Sequence, residues 1–527
     1  MQTSTIVIGT RSSELALWQA HYTRDILLEN GFEVQLKIIK TKGDELLNLN
    51  FNKINNKGIF TDEIEQALLS KSIDLAVHLY EDLPITPTSG LLIAGCSERE
   101  NPADWLIIRK TAVDRFSELR LKHKAVVGAV SARQIAQFAA LRPDVILKNI
   151  SGNITARLSR LNNDCDAVLL EATGLNHLNL SKILSNFEIV ELKPHQLVPA
   201  PAQGVFAWQI REDDIEMEKI VRQHLNNFKT EIVTLAERHL LRKLDGDNKK
   251  PIGIYINNDF LSDYHLWASV ADSQADFPFQ IKITNPDPEK LLLHAVATLK
   301  NPAQQTIFIS RDININKDEG YFARAAKAFR HTVYAQSLID FLPLPYQLPD
   351  APFDWLFFSN VQDVQYFFAQ EPNISGKKIG VVGLGTLRAL WRAGFEADFV
   401  GNEAPPEQIA LSFTNCVNDD GTVLFPKAIN SIETLPQLIA TTIKVLPLPV
   451  YSIIKKTNLV LIPKHQIAIL TTPLNAQVYC QNYDICAPNK VITIDETTAH
   501  ALQEIGFTNA IVAAYPDEIS LVNLCYL

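Results

Sequence analysis

The chain has 527 residues, of which 46% are hydrophobic and 20% are charged, and its formal net charge is -10 at pH 7. The length predicts about three to five domains of ordinary size, and the composition excludes a disordered or membrane-embedded protein. The acidic balance argues against a general nucleic-acid binder.

The cysteine pattern and the N-terminal residues predict a cytoplasmic protein. The six cysteines form neither a CxxC pair nor a zinc-ligand spacing, which predicts reduced thiols and no metal site. No run of about 18 or more uninterrupted apolar residues is present, so no transmembrane helix is predicted. Residues 1–8 lack the basic and long apolar regions of a secretion signal and lead directly into a strand.

The first 300 residues predict strands that alternate with helices. Strands are expected at 4–9, 32–40, 73–78, 126–130, 145–150 and 167–170, and helices at 15–30, 61–70, 132–140 and 155–161. This alternation predicts parallel sheets of the doubly wound kind. A helix at 231–244, a strand-rich stretch at 254–283 and a helix at 288–300 predict a small α+β domain.

A second α/β series follows a predicted linker at 301–305. Its strands are expected at 306–310, 354–359, 378–385, 422–426, 466–472 and 491–494. Two similar phrases, 382–394 and 494–506, each predict a strand, a polar turn and a helix that ends at glycine. They indicate two similar lobes, which bind ligands at the carboxyl ends of their strands.

Several phrases occur in order in the first half. They are GTRSSELALWQA at 9–20, TKGD at 41–44, NKGIF at 56–60, HLYEDLP at 78–84, RENPAD at 99–104, PAPAQG at 199–204 and PIG at 251–253. From about residue 6 to residue 283 the chain thereby resembles the porphobilinogen deaminase (hydroxymethylbilane synthase) family. The resemblance implies two periplasmic-binding-like lobes around a cleft, and a third domain that carries a covalent dipyrromethane on a cysteine.

The resemblance also implies roles for individual residues. Family members condense four porphobilinogen units and release ammonia, which requires a carboxylate that stabilises cationic pyrrole intermediates. Asp82 matches this catalytic position. Arginine forks bind carboxylate arms in bidentate fashion. The substrate-binding positions implied by the resemblance are Arg11, Ser12, Lys57, Arg133, Arg157 and Gln203.

The chain departs from the family pattern at positions that carry charge or the cofactor. Glu81 replaces a lysine, Gln134 replaces the second arginine of a pair, and Ser151 replaces an arginine. Glu171 replaces a small residue. Asn248 falls where the family carries the cofactor cysteine, and a carboxamide cannot form the thioether. These departures predict a degenerate deaminase half without a dipyrromethane, and no other cofactor is expected.

The second half resembles the uroporphyrinogen-III synthase family. The matching phrases are ISR at 309–311, FSN at 358–360, VGLGT at 382–386, VYS at 450–452, TTPLN at 471–475 and TTA at 497–499. The resemblance implies two α/β lobes joined by a two-stranded connector. It also implies closure of linear hydroxymethylbilane, with inversion of the last ring, without a metal or organic cofactor.

Five residues of this half are candidates for binding or catalysis. Tyr451 matches a phenol that protonates the leaving hydroxyl, or it is an amphipathic tyrosine at a strand end. Thr386, Thr472, Thr497 and Thr498 are expected to bind substrate carboxylates at turns and helix starts, or to act as N-caps.

The resemblance divides the chain into four parts. Lobe 1 of the deaminase-like half is expected at 1–100 and about 196–218, lobe 2 at 101–195, the α+β domain 3 at 219–302, and the two-lobed module at 303–527.

Three functional hypotheses remain open. The first is a fused protein with an active uroporphyrinogen-III synthase and a degenerate deaminase half, and the second is a working bifunctional enzyme. The third is a non-catalytic two-lobed binder of pyrroles or carboxylates. The expected partners are polycarboxylate pyrroles or the bilane, and an intact deaminase or another pathway enzyme, with no nucleic acid and no membrane.

Overall fold

The computed structural model describes residues 5–41, 61–178, 180–244, 250–259, 263–315, 320–401, 406–417, 421–430 and 434–526. Within these residues the strands form five sheets, and helices accompany each of them. The α/β class is therefore confirmed, including two doubly wound lobes, a small α+β domain and a two-lobed C-terminal module.

Lobe 1 is built on a mixed five-stranded sheet. Its elements before the first crossover are β1 Ile6–Thr10, α1 Glu14–Glu29, β2 Val34–Ile38, α2 Asp62–Leu69, β3 Leu75–Leu79 and β4 Leu91–Cys96. A 3-10 turn, Tyr80–Asp82, follows β3. The side chain of Ser13 begins α1 by accepting a hydrogen bond from the Ala16 N–H.

Lobe 2 repeats this design. Its elements are β5 Asp104–Arg109, β6 Val126–Ala129, α3 Ala132–Leu141, β7 Ile146–Asn149, α4 Ile154–Ser159, β8 Ala167–Glu171, α5 Ala172–His177, α6 Ser181–Leu184 and β9 Phe187–Leu192. The chain then returns to lobe 1 as β10, Phe206–Arg211. The sheet orders are β2-β1-β3-β10-β4 and β7-β6-β8-β5-β9. Strand β10 runs antiparallel to its neighbours β3 and β4 in the sheet of lobe 1. In the sheet of lobe 2, β5 runs antiparallel to its neighbours β8 and β9.

Two linkers, 97–103 and 193–205, connect the lobes and lie against each other at Gly204. The Gly204 carbonyl accepts a hydrogen bond from the Glu100 N–H at 2.9 Å. Gly204 has a φ of +79°, and an added Cβ would lie 3.3 Å from the Glu100 carbonyl oxygen and 3.4 Å from that of Asn101. Glycine therefore suits both the conformation and the space at this crossing.

Domain 3 is a three-stranded antiparallel sheet covered by helices. Its elements, with the helix that precedes it, are α7 Ile215–His224, α8 Phe228–Lys243, β11 Ile252–Asn258, β12 Tyr264–Val270, β13 Phe279–Asn285 and α9 Pro288–Lys300. Helix α8 begins three residues before the predicted start, because the Asn227 side chain caps it by accepting from the Thr230 N–H. Helix α9 has the predicted bounds, with Asp287 as N-cap and Pro288 in the first turn.

The C-terminal module consists of two α/β lobes. Its elements are β14 Thr306–Ile309, α10 Tyr321–Ala328, β15 Thr332–Ala335, β16 Ile339–Pro343, β17 Trp355–Phe358, α11 Val361–Phe368, β18 Lys378–Val382, α12 Gly383–Arg392, β19 Phe399–Gly401, α13 Pro406–Thr414, β20 Thr422–Ala428, α14 Thr434–Ala440, β21 Lys444–Lys455, β22 Ile467–Leu470, α15 Pro473–Asn482, β23 Lys490–Thr493, α16 Glu496–Glu504, β24 Ile511–Val512 and α17 Glu518–Leu524.

We name the two lobes of this module by their sheets, whose strands are parallel except for one antiparallel pair, β16 and β21. Lobe A has the order β15-β14-β22-β23-β24, and lobe B has the order β16-β21-β20-β17-β18-β19. The long strand β21 pairs in parallel with β20 and then, from Tyr451 onward, antiparallel with β16. The β16–β21 pair is thus the two-stranded connector between the lobes that the resemblance implied.

One of the hydrophobic clusters of the protein contains residues from both halves of the chain. This cluster joins buried residues of domain 3, such as Ile281 and Leu291, to residues of lobe A such as Ile469 and Tyr526. The rings of Phe279 and Tyr526 pack edge to face with centroids 4.2 Å apart. Domain 3 and lobe A are therefore packed together as one body.

Glu237 of α8 joins domain 3 to the linkers. Its fully buried carboxylate accepts from both Nη atoms of Arg99, at 2.8 and 2.9 Å. It also accepts from the backbone N–H groups of Ala202 and Ile256, each at 2.7 Å. A buried carboxylate is tolerated when its acceptor sites are filled in this way.

Glu237→Ala should destabilise the protein strongly. It would leave the Arg99 guanidinium and two backbone N–H groups without their acceptor, at a cost of about 3 to 5 kcal/mol in the free energy of unfolding. The urea midpoint measures this loss. The control is Glu216→Ala, at an exposed position of α7, where we expect a change within about 0.5 kcal/mol. Equal midpoints for the two variants would contradict the assigned role.

Candidate functional site

A cavity of about 400 Å³ lies where lobe 1, lobe 2 and domain 3 meet. Its lining is rich in charged side chains from all three parts. The acidic members are Glu14, Glu81, Asp82 and Glu171, and the basic members are Arg11, Arg133, Arg157, Arg238 and Lys250. The cavity therefore has the position and polarity of a ligand-binding cleft.

Asp82 lines the cavity at the end of the 3-10 turn that follows β3. Its neighbour in the motif, His78, is buried and lies 3.1 Å from the Gln209 Oε1 atom through its Nε2. Burial lowers the pKa of His78 to about 4. His78 is thus neutral near pH 7. Asp82 lines the cavity, and its catalytic role stays a prediction.

Arg133 is part of a buried hydrogen-bond network around Asp104. The guanidinium donates to both Asp104 carboxylate oxygens, at 2.9 and 3.1 Å. It also donates to the Val198 carbonyl at 2.9 Å and to Gln203 Oε1 at 3.1 Å. Arg133 and Gln203, both predicted to bind substrate, therefore make their close polar contacts with protein groups.

Gln134 completes the same network from α3. Its Nε2 donates to Asp104 at 2.7 Å. Its Oε1 accepts from the Ser131 N–H while Ser131 caps the helix, which forms a capping box. The residue that replaces the family's second arginine thus has a structural role and adds no positive charge.

The structure brings Arg11 and Arg157 to the cavity together with Asp82. Burial lowers the pKa of Arg157, while the Glu171 and Asp82 carboxylates oppose that shift. Ser12 is exposed, whereas its neighbour Ser13 lines the cavity.

Two predicted positions, Lys57 and Asn248, lie outside the described residues. The described lining of the cavity contains no cysteine. Cys96 is buried beside Thr234, and burial raises its pKa to about 12, so that its sulfur stays a thiol.

Glu81 and Glu171 meet at the boundary between the two lobes. Glu81 extends from the turn after β3, and Glu171 ends β8. Their carboxyl groups are hydrogen-bonded to each other, and burial, followed by the negative charge of Asp104, raises the pKa of Glu171. Two carboxyl groups in contact oppose each other's ionisation, in the same direction as the raised pKa of Glu171. The departures at both positions thus form one pair.

Arg238 of α8 is a cleft residue that the sequence motifs did not indicate. Its guanidinium lies 4.8 Å above the Tyr80 ring and donates to the Tyr80, Leu83 and Pro84 carbonyls. These contacts fix the turn that carries Glu81 and Asp82 against domain 3. An arginine in the middle of a helix outside the matched phrases gave no signal in the sequence.

In lobe A, hydroxyl groups gather at the carboxyl ends of the strands. Ser310 and Thr471 follow β14 and β22, and their hydroxyl oxygens lie 3.1 Å apart. Thr493 ends β23, and Thr498 lies in α16. The hydroxyls of these two fully buried threonines have no hydrogen-bond partner among the described residues. The Ser310 and Thr471 hydroxyls are bonded to each other and to backbone groups, so they join β14 to β22 at this edge.

The four predicted threonines occupy different environments. Thr472 caps α15 by accepting from the Asn475 N–H at 3.2 Å, so the N-cap alternative applies to it. Asp495 caps α16, and the exposed Thr497 donates to it at 2.9 Å. Thr386 is buried in the first turn of α12. Binding of substrate carboxylates by these threonines stays a prediction.

Tyr451 lies in the core of lobe B rather than at its surface. It is 3% exposed, its hydroxyl donates to Asp363 at 3.0 Å, and its ring stacks on that of Tyr366. Burial raises the pKa of Asp363 to about 7, while the hydrogen bond from Tyr451 opposes this rise. The predicted proton-donor role of Tyr451 therefore competes with a structural one.

The described part of the chain offers neither a membrane span nor a metal cluster. None of its helices combines the length and apolarity that a membrane crossing requires. Its His, Cys, Asp and Glu residues form no group of three or more that could hold a metal ion.

Both halves match family models. Residues 6–219 match the model described as "Porphobilinogen deaminase, dipyromethane cofactor binding domain". Residues 322–523 match the model "Uroporphyrinogen-III synthase HemD".

Curated relatives and solved structures are also similar to the chain. It is 40% identical to a porphobilinogen deaminase of Chlorobium phaeovibrioides over 254 residues, which cover 47% of this chain and 78% of that protein. It is 36% identical to the porphobilinogen deaminase of Bacillus cereus over 309 residues, which cover 58% of this chain and 97% of that protein. The crystal structure of uroporphyrinogen-III synthetase from Helicobacter pylori matches with a TM-score of 0.32 and 19% identity, over 42% of this chain and 98% of that one.

Glu171→Gln should reduce the loss of stability at alkaline pH. The raised pKa of Glu171 means that its contribution is present at acid pH and is lost as the pH rises through that pKa. Glutamine keeps a neutral group there, so the fall in melting temperature as the pH rises above 4.5, the ordinary pKa of a glutamate, should be smaller than in the wild type. Glu212→Gln, at an exposed position, is the control. A pH profile like that of the wild type would contradict the raised pKa of Glu171.

Tyr451→Phe should lower the stability of lobe B, most of all at alkaline pH. The raised pKa of Asp363 means that stability is lost as the pH rises through about 7. Without the tyrosine hydroxyl, the ionised carboxylate loses a donor and the loss becomes larger. Melting temperatures at about pH 6 and about pH 8 measure the effect. Unchanged stability with a fall in kcat of about a hundredfold or more would instead identify the phenol as a proton donor.

Proposed function

The chain belongs to the porphobilinogen deaminase family and carries a uroporphyrinogen-III synthase module after it, and from this premise we propose that only the second half turns over. The protein belongs to tetrapyrrole biosynthesis. In our proposal the C-terminal half cyclises hydroxymethylbilane to uroporphyrinogen III, and the N-terminal half no longer condenses porphobilinogen.

The observation that carries the proposal is the composition of the cleft between lobes 1 and 2. Glu81 and Glu171 occupy it as a carboxyl pair, and Arg133 is bound by Asp104. At an effective dielectric constant near 20, a unit charge about 4 Å away contributes on the order of 4 kcal/mol, before screening reduces it. The changes from cation to anion or amide therefore oppose the binding of a growing polycarboxylate chain.

The family's dipyrromethane does not fit the residues present. Asn248 occupies the attachment position implied by the resemblance, and an amide cannot form the thioether. Cys96, a cysteine within the matched half, is buried as a thiol away from the cavity lining. We therefore derive no step through this group.

The C-terminal half has the features of a catalyst that works by positioning. Cyclisation of the bilane requires that a flexible chain be folded so that its two ends meet, and this kind of ordering accelerates reactions by reducing the entropic cost. The match of residues 322–523 to the uroporphyrinogen-III synthase model supports this activity for the C-terminal half. An intact deaminase in the same cell would supply the bilane.

The second candidate is a bifunctional enzyme, and one observation favours it. Asp82, Arg11 and Arg157, which the resemblance assigns to catalysis and substrate binding, all line the cleft, and this supports a working first half. This candidate requires a primer that is held without the cysteine thioether.

Intact mass spectrometry distinguishes the two candidates. Protein expressed with porphobilinogen available should show the mass of the unmodified chain and give no red colour with the aldehyde reagent for bound dipyrromethane. Supplied hydroxymethylbilane should be converted to the inverted isomer, uroporphyrinogen III. A two-pyrrole mass increment with colour would overturn the proposal for the first half, and formation of only the uninverted isomer would overturn that for the second.

A graded set of variants separates the missing sulfur from the altered charge. Asn248→Cys alone restores a nucleophile but leaves the carboxyl pair, so we expect at most partial primer attachment and no turnover. Asn248→Cys combined with Glu81→Lys and Glu171→Ala should attach more primer, because a cation replaces the pair. Intact mass gives the attached fraction, and Asn248→Ser in the same background is the control. Efficient turnover by Asn248→Cys alone would mean that the cleft charges do not limit the reaction.

A further inference from the structure

A loop of lobe 2, residues 114–120, contacts lobe B of the C-terminal module. The Nε of Arg388 in α12 donates to the Phe116 carbonyl at 2.6 Å. The Phe116 ring lies 5.4 Å from that of Trp391 and packs against the hydrophobic core of lobe B. An exposed ion pair at 3.0 Å between Arg115 and Glu396 lies beside this contact.

The loop is built to present Phe116 in one position. The Asp114 carboxylate accepts from the Phe116 N–H at 3.0 Å and from the Ser117 hydroxyl at 2.7 Å. The Asp114 N–H donates to the Arg120 carbonyl at 2.8 Å, which closes the loop. The buried Arg142 donates to the Glu118 carbonyl and joins the loop to lobe 2. The loop therefore has little freedom of its own.

Lobe A is attached to the same N-terminal half at other points. Arg324 of α10 donates to the Ala140 carbonyl of α3 in lobe 2. His195, in the second linker, lies 3.1 Å from the Asp517 carboxylate and stacks on Tyr515 with ring centroids 3.8 Å apart. The shared core with domain 3 adds an apolar attachment.

These contacts close a ring. It runs from lobe 2 through the 114–120 loop to lobe B, through the β16–β21 connector to lobe A, and back to lobe 2. A two-stranded connector alone permits hinge motion between lobes, whereas a second attachment of both lobes to one body restricts it. We infer that Phe116 and Arg388 hold lobe B at a fixed angle to lobe A, so that the N-terminal half braces the cleft of the C-terminal module.

The brace acts through α12. This helix starts at Gly383, directly after β18, and its first turn contains Thr386, which is predicted to bind substrate. Phe116 and Arg388 are therefore positioning residues, and their effect on cyclisation rests on the proposed function. The brace would also explain why a cleft that no longer condenses pyrroles is retained in the chain.

Native cysteines allow the lobe separation to be measured. Cys416 of lobe B and Cys486 of lobe A are exposed, whereas Cys480 is half-buried and Cys96, Cys165 and Cys525 are buried. In a Cys480→Ser background, spin labels on Cys416 and Cys486 report the distance between the lobes. We expect one narrow distribution for the full chain and a distribution about twofold wider or more for Phe116→Ala with Arg388→Ala.

Two further variants make the distance measurement decisive. Leu411→Ala, at a position of α13 that is 65% exposed, is the matched control in lobe B and should keep the narrow distribution. Arg388→Met retains the length of the side chain and removes the Nε donor, so it tests the same contact if the double variant folds poorly. A narrow, unshifted distribution in both contact variants would overturn the brace.

The split between KM and kcat gives a readout that a loss of folded enzyme alone would not produce, because such a loss lowers the apparent kcat and leaves KM unchanged. With hydroxymethylbilane supplied, the contact variants should release a larger share of the uninverted isomer, with a higher KM and a smaller change in kcat. A wild-type protein that cyclises nothing would refute the proposed function and leave the distance result intact. A wide distribution with an unchanged product ratio would overturn the positioning role of the two residues.

Discussion

The buried carboxylate of Asp104 is the interaction on which the N-terminal half depends. It begins β5, directly after the first linker, and is fully shielded from water. Arg133, Gln134 and Gln203 donate to it from α3 and from the second linker. A buried charge with this many donors is stable only if every partner stays in position. The network therefore fixes both linkers and α3 at once, and it occupies the arginine that the sequence would assign to a ligand.

This network is one of several in which arginines that line the cleft bind protein groups. Arg133 balances Asp104, and Arg238 binds the backbone of the turn that carries Asp82. Arg157 lies close to the carboxylates of Glu171 and Asp82. Counting charges along the sequence cannot separate a cation that binds a protein group from one that is available to a ligand. The difference depends on burial and on the partners that folding supplies.

The sequence predicted the fold more completely than the site. The start of α9 at Pro288 was predicted, because an Asp cap and a proline in the first turn are local signals. The role of Gln134 was not, since its capping box is local but its bond to Asp104 joins positions 30 residues apart. The pairing of Glu81 with Glu171 likewise depends on the approach of two lobes. Tyr451 lies in a phrase that matches the family, yet its burial against Asp363 follows from the packing of β21 on α11, which no local pattern encodes.

The core shared by domain 3 and lobe A has a consequence for biosynthesis. Strand β13 packs on α17 and on Tyr526. The apolar surface near residue 280 is therefore covered only after the residues near position 525 have been synthesised. During translation, domain 3 would leave the ribosome with an open hydrophobic side, which is the kind of surface that chaperones bind. Expressing the deaminase-like half by itself would expose that side permanently. Poor solubility of such a fragment would reflect its missing neighbour rather than a defect of its own fold.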